Sequence, residues 1–475
     1  MTFNDENVVR VKKVTSISNQ DSVAVPSAHG EVAAGTKKKA PFVWPGMLVP
    51  FVLLVSCFAA WGISTDLTAP LVNVFSSVFH MSAFQSSLVQ FAYYGAYFLL
   101  AIPAAYINSK LGYKGGVVIG LSLAAAGALL FFPASKLMTF GAFIAALFIL
   151  AGGLSIVETS ANPFVMAMGP EKTATRRLNL AKAFNPIGSN LGVLAATLFI
   201  LPNIHVATAE ERASMPEAEL LATRSDELQA VMAPYIALGC LYAFLAISIA
   251  FVKIQKRRTM VSDSAAGVKR RKGTFMRLMR NKLYSFGVVA QFCNIAAQTC
   301  IWTYIIFYVM ETLGVDRTTA GWWLQGSLIC FLIMRFLMVW IMGRVDARVL
   351  MTVMASLGII CTGLGIVSGN IVGAVSIAFL SACISLMFPT IYGLALTGLG
   401  DDTKFGSAGL VMAIIGGAVV PPLQGLILDH TSAQFSFIVV LVCFAVMLGY
   451  ALYARRQDLD ALAEADDANA QIIAD

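Results

Sequence analysis

Apolar sequence runs almost unbroken from Phe140 to Met168, and one acid, Glu158, interrupts it. At 1.5 Å rise per residue, about 20 apolar residues cross a bilayer core roughly 30 Å thick, and this stretch supplies them. A carboxylate in such a helix costs roughly 2.5–3.5 kcal/mol on insertion scales, so Glu158 is expected to face a bundle interior or a water-filled cavity. Burial favours the neutral, protonated acid. A group that loads and unloads a proton in mid-membrane suits a proton-coupled transporter. Taken alone, Glu158 is also read as a buried acid hydrogen-bonded to a neighbouring Ser, Thr or Asn.

The rest of the chain is built the same way. Of 475 residues, 58% are hydrophobic and 12% charged, against roughly 45–50% and 25% in soluble domains. The fold class is therefore an all-α polytopic membrane protein. Continuous apolar runs, rather than alternating segments of about ten residues, exclude a β-barrel. The first apolar run is long enough to span and lacks a small-residue cleavage site, so no cleaved signal peptide is expected. The eight cysteines fall in apolar segments without a CxxC pair, and the four histidines lack ligand spacing. Neither a disulfide framework, a metal site nor a cofactor is expected. The net charge of +7 lies beside the apolar runs, which makes it a topological signal and not a nucleic-acid footprint.

Twelve spans are expected, at about 44–70, 84–108, 113–133, 137–168, 176–201, 229–253, 283–313, 317–341, 347–367, 370–398, 403–428 and 433–454. Between spans six and seven lie Lys253, Lys256, Arg257, Arg258, Lys269, Arg270, Arg271, Lys272, Arg277, Arg280 and Lys282. The positive-inside rule puts that segment, and with it both termini, in the cytoplasm. The acidic loop at 202–228 then lies outside. The organisation expected is a disordered tail (1–43), a six-helix half (44–253), a basic linker (254–282), a second six-helix half (283–454) and a solvated tail (455–475). Two six-helix halves around a midplane site is the plan of the major facilitator superfamily. Matching interruptions support it: Asn185-Pro186 and Gly188 in span five against Gly416, Gly417, Pro421 and Pro422 in span eleven, and Asn162-Pro163 in span four against Phe388-Pro389 in span ten.

Few ionisable groups sit well inside spans: Asp66 in span one, Glu158 in span four, Lys182 in span five and Arg335 in span eight. Proton coupling is placed on Glu158 and Asp66. Lys182 and Glu158 differ by roughly 7 Å in depth, so the lysine either pairs with the acid or snorkels to the interface. Arg335 either serves a carboxylate or substrate or, the reading given more weight, locks helices. Span two presents Gln90, Tyr93, Tyr94 and Tyr97, and span seven presents Gln291, Asn294, Gln298 and Trp302 at i, i+3, i+7 and i+11 on one face. Amides bind hydroxyls as donors and as acceptors, and an aromatic ring packs on the C–H face of a sugar. With Asn162 and Asn185 these residues form the expected substrate site for a neutral polyol. Ordinary interhelical hydrogen bonding explains any one of them equally well.

On Glu158-Thr-Ser-Ala-Asn-Pro-Phe164, Arg177-Leu-Asn-Leu-Ala181 with Phe184-Asn185, Gln291-Phe-Cys293 with Ala297-Gln298-Thr299, and Asp402-Thr-Lys-Phe-Gly-Ser407, the chain resembles the fucose–galactose–glucose–proton symporter family of the major facilitator superfamily, on its L-fucose permease side. The resemblance covers about residues 47–450. It implies sugar–proton symport by alternating access, with Glu158 as the span-four glutamate of substrate binding and coupling. It also implies a cell inner-membrane monomer driven by the proton gradient. The family's span-one acid falls at Ala69, while Asp66 takes the place of an asparagine one helical turn earlier. Lys182 stands where relatives usually carry glutamine, and Ser109-Lys110-Leu-Gly112-Tyr-Lys114 lacks the superfamily's loop aspartate. The alternative that remains open is another hexose (glucose, galactose, mannose or N-acetylglucosamine), with sodium as the coupling ion. The short polar tails speak against a sugar-sensing transceptor, and four histidines without a nucleophile or metal partner speak against a membrane enzyme, so no enzyme is expected.

Overall fold

The computed structural model describes residues 41–78, 83–137, 139–195, 198, 216–253 and 273–474, with the side chains of 66, 68–78, 83–88, 90, 217–231 and 460–474 outside that description. The expected tail up to residue 40, most of the basic linker and the side chains of Asp66 and Gln90 therefore fall outside the described residues.

Among the described residues the regular structure is entirely helical. Helices α1 (Leu48–Val78), α2 (Ala83–Leu137), α3 (Phe140–Ala167), α4 (Ala174–Lys182), α5 (Asn185–Ala195) and α6 (Glu217–Phe251) precede the linker. After it come a short α7 (Thr274–Arg280) and the long α8 (Lys282–Leu313), α9 (Arg317–Ile341) and α10 (Ala347–Val367). Broken segments follow: α11 (Ile371–Ile384) with α12 (Met387–Ala395), then α13 (Thr403–Met412) with α14 (Gly416–His430). The chain closes with α15 (Ala433–Ser436) and α16 (Ile438–Ala474).

Ten described segments are long and apolar enough to cross a membrane, against the twelve expected. The difference arises at two places. Helix α2 has 55 residues, about 80 Å if straight, far beyond a bilayer. It breaks at Gly112, whose φ of 71° and ψ of 172° lie where a side chain is strained, so spans two and three count as one. The expected fifth span is described only as α4 and α5, because residues 196, 197 and 199–201 lie outside the described residues, and the described part carries Arg176, Arg177 and Lys182. Two boundaries also move. Helix α6 begins at Glu217, inside the expected outer loop, and α16 continues to Ala474 through the expected tail.

Buried apolar side chains gather in two clusters. One extends from Met47 to Ile249 and takes in Tyr284, Phe388, Tyr392, Leu410 and Val411; the other runs from Ala290 to Ala454. The first cluster thus reaches across to α12 and α13, which pack on α4 and on α2 and α3. Glycine sets the closest approaches around the site. A Cβ on Gly188 of α5 would stand 1.8 Å from the carbonyl oxygen of Ala59 in α1, so the two backbones touch. A Cβ on Gly153 of α3 would stand 2.3 Å from the Ala124 nitrogen of α2, which presses α3 against α2 one turn before Glu158.

Candidate functional site

Glu158 is 2% exposed in the middle of α3. Lys182, the last residue of α4, is 1% exposed, and its Nζ donates to Glu158 Oε1. The structure therefore gives Lys182 a carboxylate partner, and the side chain does not snorkel. The second carboxylate oxygen, Oε2, has no hydrogen-bond partner. The ammonium also lies over three aromatic rings, at 5.1 Å from Phe58, 4.6 Å from Trp61 and 4.1 Å from Phe388. Such rings attract a cation through their quadrupoles, most strongly where water is excluded. Nearby, Trp61 Nε1 donates to the Tyr97 hydroxyl at 2.5 Å, and Thr65 and Tyr93 hydroxyls meet at 3.2 Å.

The break after α4 is a consequence of Pro186. A helix would close the Lys182 carbonyl with the N–H four residues on, and proline has none. Arg335 of α9 takes that carbonyl instead: Nη1 donates to Lys182 O at 2.8 Å, while Nε donates to Ser385 O at 2.8 Å. Arg335 is 5% exposed and stacks over Phe331 at 4.7 Å. Its observed work is to lock helices.

That bond belongs to a seam between the helices before the linker and those after it. Asn179 Nδ2 donates to Thr390 Oγ1 at 3.2 Å, Ser407 Oγ to Thr159 O at 3.1 Å, and Arg176 Nε to Val339 O at 3.0 Å. Every one lies toward the end of the bundle where α3 finishes and α13 begins. Arg177, fully buried, reinforces the same end by donating to Val165 O at 2.8 Å and Phe42 O at 2.9 Å. Its charge thus sits on the exposed carbonyls of the α3 C-terminus, where helix polarity favours a cation. Sequence reading gave no role to Arg176, Arg177, Thr390 or the three-ring box. Cations inside apolar stretches were the only available signal.

The amide stripe on α8 divides. Gln291 and Asn294 are fully buried, and all four of their amide atoms lack partners. Gln298 and Trp302 are half-buried, and Trp302 Nε1 donates to Ser381 Oγ at 3.0 Å. Neither Gln291 nor Asn294 is hydrogen-bonded to Glu158. Asn162 is buried one turn after Glu158, beside the Tyr392 hydroxyl. Asn185 is half-buried and donates to Phe58 O at 3.3 Å. Tyr94 is half-buried; its ring and Thr299 of α8 both abut Gly417 of α14, so α2 and α8 converge there.

Other features lie outside this centre. All eight cysteines are free, and among the described residues no cluster of three His, Cys, Asp or Glu side chains is placed to hold a metal. A crevice of about 710 Å³, lined by Phe98, Ile102, Phe275, Met279, Val289 and Phe405 among others, lacks the polar groups a sugar requires. At its rim Arg277 forks onto Asp402 at 2.8 and 2.9 Å, and the carboxylate raises the guanidinium above its ordinary pKa.

Comparison with known proteins places this geometry. The Major Facilitator Superfamily model matches residues 51–266 and 287–474. An L-fucose-proton symporter of Haemophilus influenzae is 38% identical over 419 residues, covering 86% of this chain and 96% of its own. A glucose/galactose transporter of Brucella abortus is 30% identical over 408 residues, covering 85% and 93%. Among solved structures, a transporter described as FucP in the outward conformation superposes with a TM-score of 0.80 at 34% identity, covering 86% of this chain and 99% of that one.

Proposed function

The chain belongs to the Major Facilitator Superfamily, and from that premise we propose that it is a secondary active transporter carrying L-fucose together with a proton by alternating access. The observation that carries this reading is a set of buried polar groups without partners: Glu158 Oε2 and the amides of Gln291 and Asn294. Each such group costs about 1–3 kcal/mol when left unmade. An apolar bundle retains them where a ligand with many hydroxyls fills the deficit during the working cycle. A 38% identical relative that is an L-fucose-proton symporter supports the choice of sugar and ion.

The protein is a multi-pass membrane transporter and needs no cofactor beyond the gradient. We place it in the inner membrane as a monomer, with both termini and the basic linker in the cytoplasm. The seam is then sealed on the cytoplasmic side, which makes this the outward-facing form. In that form Glu158 takes a proton from outside, the amide and aromatic groups bind sugar, and Asp66 shares or tunes the proton. Rocking of the two halves exposes both ligands inward.

The test is uptake of labelled L-fucose into right-side-out vesicles, with and without an inward proton gradient, with excess galactose, glucose and N-acetylglucosamine as competitors. Accumulation that follows the gradient, resists the other sugars and disappears in Glu158→Gln supports the reading. A different sugar winning overturns the cargo. Uptake that follows sodium, or that persists uphill in Glu158→Gln, overturns the role of Glu158.

A further inference from the structure

Lys182 has two hosts in this structure, a carboxylate and a box of three rings, and one of those rings lies across the seam. The carboxylate of Glu158 is on α3, before the linker. The box is mixed: Phe58 and Trp61 belong to α1, while Phe388, the nearest ring at 4.1 Å, belongs to α12 beyond the linker. Phe388 is held there by the bonds that seal the seam, Asn179 to Thr390 and Arg335 to Lys182 O. Any motion that opens this end withdraws Phe388 from the ammonium and leaves Glu158 in place.

We infer that Lys182 is the counter-cation that makes proton uptake by Glu158 depend on which side of the carrier is open. The inference rests on the proton-symport reading above. With the seam closed, three rings share the ammonium with Glu158, so it keeps a host when the carboxylate takes a proton from the outer side. The step is a protonation only: Glu158 carboxylate and Lys182 ammonium plus one proton give Glu158 carboxylic acid and Lys182 ammonium. When the seam opens, the box loses Phe388 and the ammonium is left buried with two rings. It then binds the carboxylate again, and the displaced proton leaves on the inner side. Lys182 keeps its charge throughout.

The other titratable groups facing the pair do not compete for this role. Tyr93 and Tyr97 on α2 and Tyr392 on α12 interact with Glu158 but are phenols, neutral near pH 7. Arg335 on α9 stays charged on its two carbonyls. Lys404 on α13 lies over the Tyr113 ring at 5.9 Å. Asp66 shares α1 with Phe58 and Trp61, with its side chain outside the described residues.

The experiment uses full-length protein in proteoliposomes and two readouts over a range of pH: exchange of labelled against unlabelled L-fucose, and accumulation driven by a proton gradient. In Lys182→Gln the carboxylate loses its counter-cation, so exchange persists with its pH profile moved alkaline, and accumulation is lost. Lys182→Arg restores part of the accumulation. Phe388→Leu moves the exchange profile the opposite way and lowers the accumulation ratio; it carries the test alone if Lys182→Gln does not fold. Unmoved profiles in Lys182→Gln and Phe388→Leu overturn the inference, as does wild-type accumulation in Lys182→Gln. A wild type that shows no proton-driven uptake overturns the symport reading beneath it, a separate outcome read from the control.

Discussion

Replacing Arg335 with glutamine should loosen the sealed end by an amount the structure allows to be worked out. Arg335 makes two buried bonds of 2.8 Å, with unequal consequences. Ser385 lies on the same side of the seam, so that bond survives any rigid movement of the halves and cancels from the comparison. The bond to Lys182 O crosses the seam and exists only while this end is shut. A hydrogen bond from a charged group contributes about 1.5–3 kcal/mol. Its loss lowers the ratio of sealed to open forms by roughly 10- to 140-fold. Backbone hydrogen exchange of the sugar-free protein in nanodiscs reads that ratio at α12 and α13, with α10 as the internal control. Exchange should quicken at α12 and α13 by one to two decades and stay constant at α10. Pro186→Ala reaches the same bond from the other side, because the new N–H offers the Lys182 carbonyl an intrahelical donor. Faster exchange everywhere would mean that Arg335 holds the fold rather than the seam. No change at α12 and α13 would refute the argument.

Three other substitutions follow from the same geometry. Asn294→Leu removes two orphan amide atoms, so L-fucose affinity by calorimetry should fall about 2- to 12-fold for each sugar bond lost. The empty protein should unfold at an equal or higher temperature, and unchanged affinity would take Asn294 out of the site. Gly188→Ala puts a methyl 1.8 Å from the Ala59 carbonyl oxygen and forces α1 and α5 apart. A loss of about 1–3 kcal/mol is expected, visible as a lower thermal midpoint, and a wild-type midpoint would show the contact to be slack. Asn370→Ala removes the side chain that accepts from the Val372 N–H at the start of α11, costing about 1 kcal/mol with transport rate unaltered.

Much of this was legible in one dimension. Apolar run length identifies the membrane helices, and Glu158, Lys182 and Arg335 stand out because charge in such runs is costly. The interruption near Phe184 was visible as Asn185-Pro186. The box was not: Phe58, Trp61 and Phe388 read like any lipid-facing aromatics until α1 and α12 meet. The seam was equally silent on its accepting side, since a carbonyl has no letter in the sequence. Polarity sets residues 455–474 apart as a tail without giving their conformation; they continue helix α16, and their alanine, leucine and glutamate are good helix formers. Asp66 and Gln90 keep only their sequence context, because their side chains lie outside the described residues.

Three of the four seam bonds given above among the described residues end on main-chain oxygens, those of Thr159, Lys182 and Val339. This has a genetic corollary. Substitution of Val339 changes its side chain and keeps its acceptor, whereas substitution of Arg176 or Ser407 deletes the donor outright. A saturation library selected for growth on the transported sugar should therefore be one-sided across this contact, intolerant at the donors and permissive at Val339. Second-site suppressors of a lost Arg176, Arg335 or Ser407 donor should arise as new donors elsewhere along the seam, since a main-chain acceptor cannot be improved by mutation.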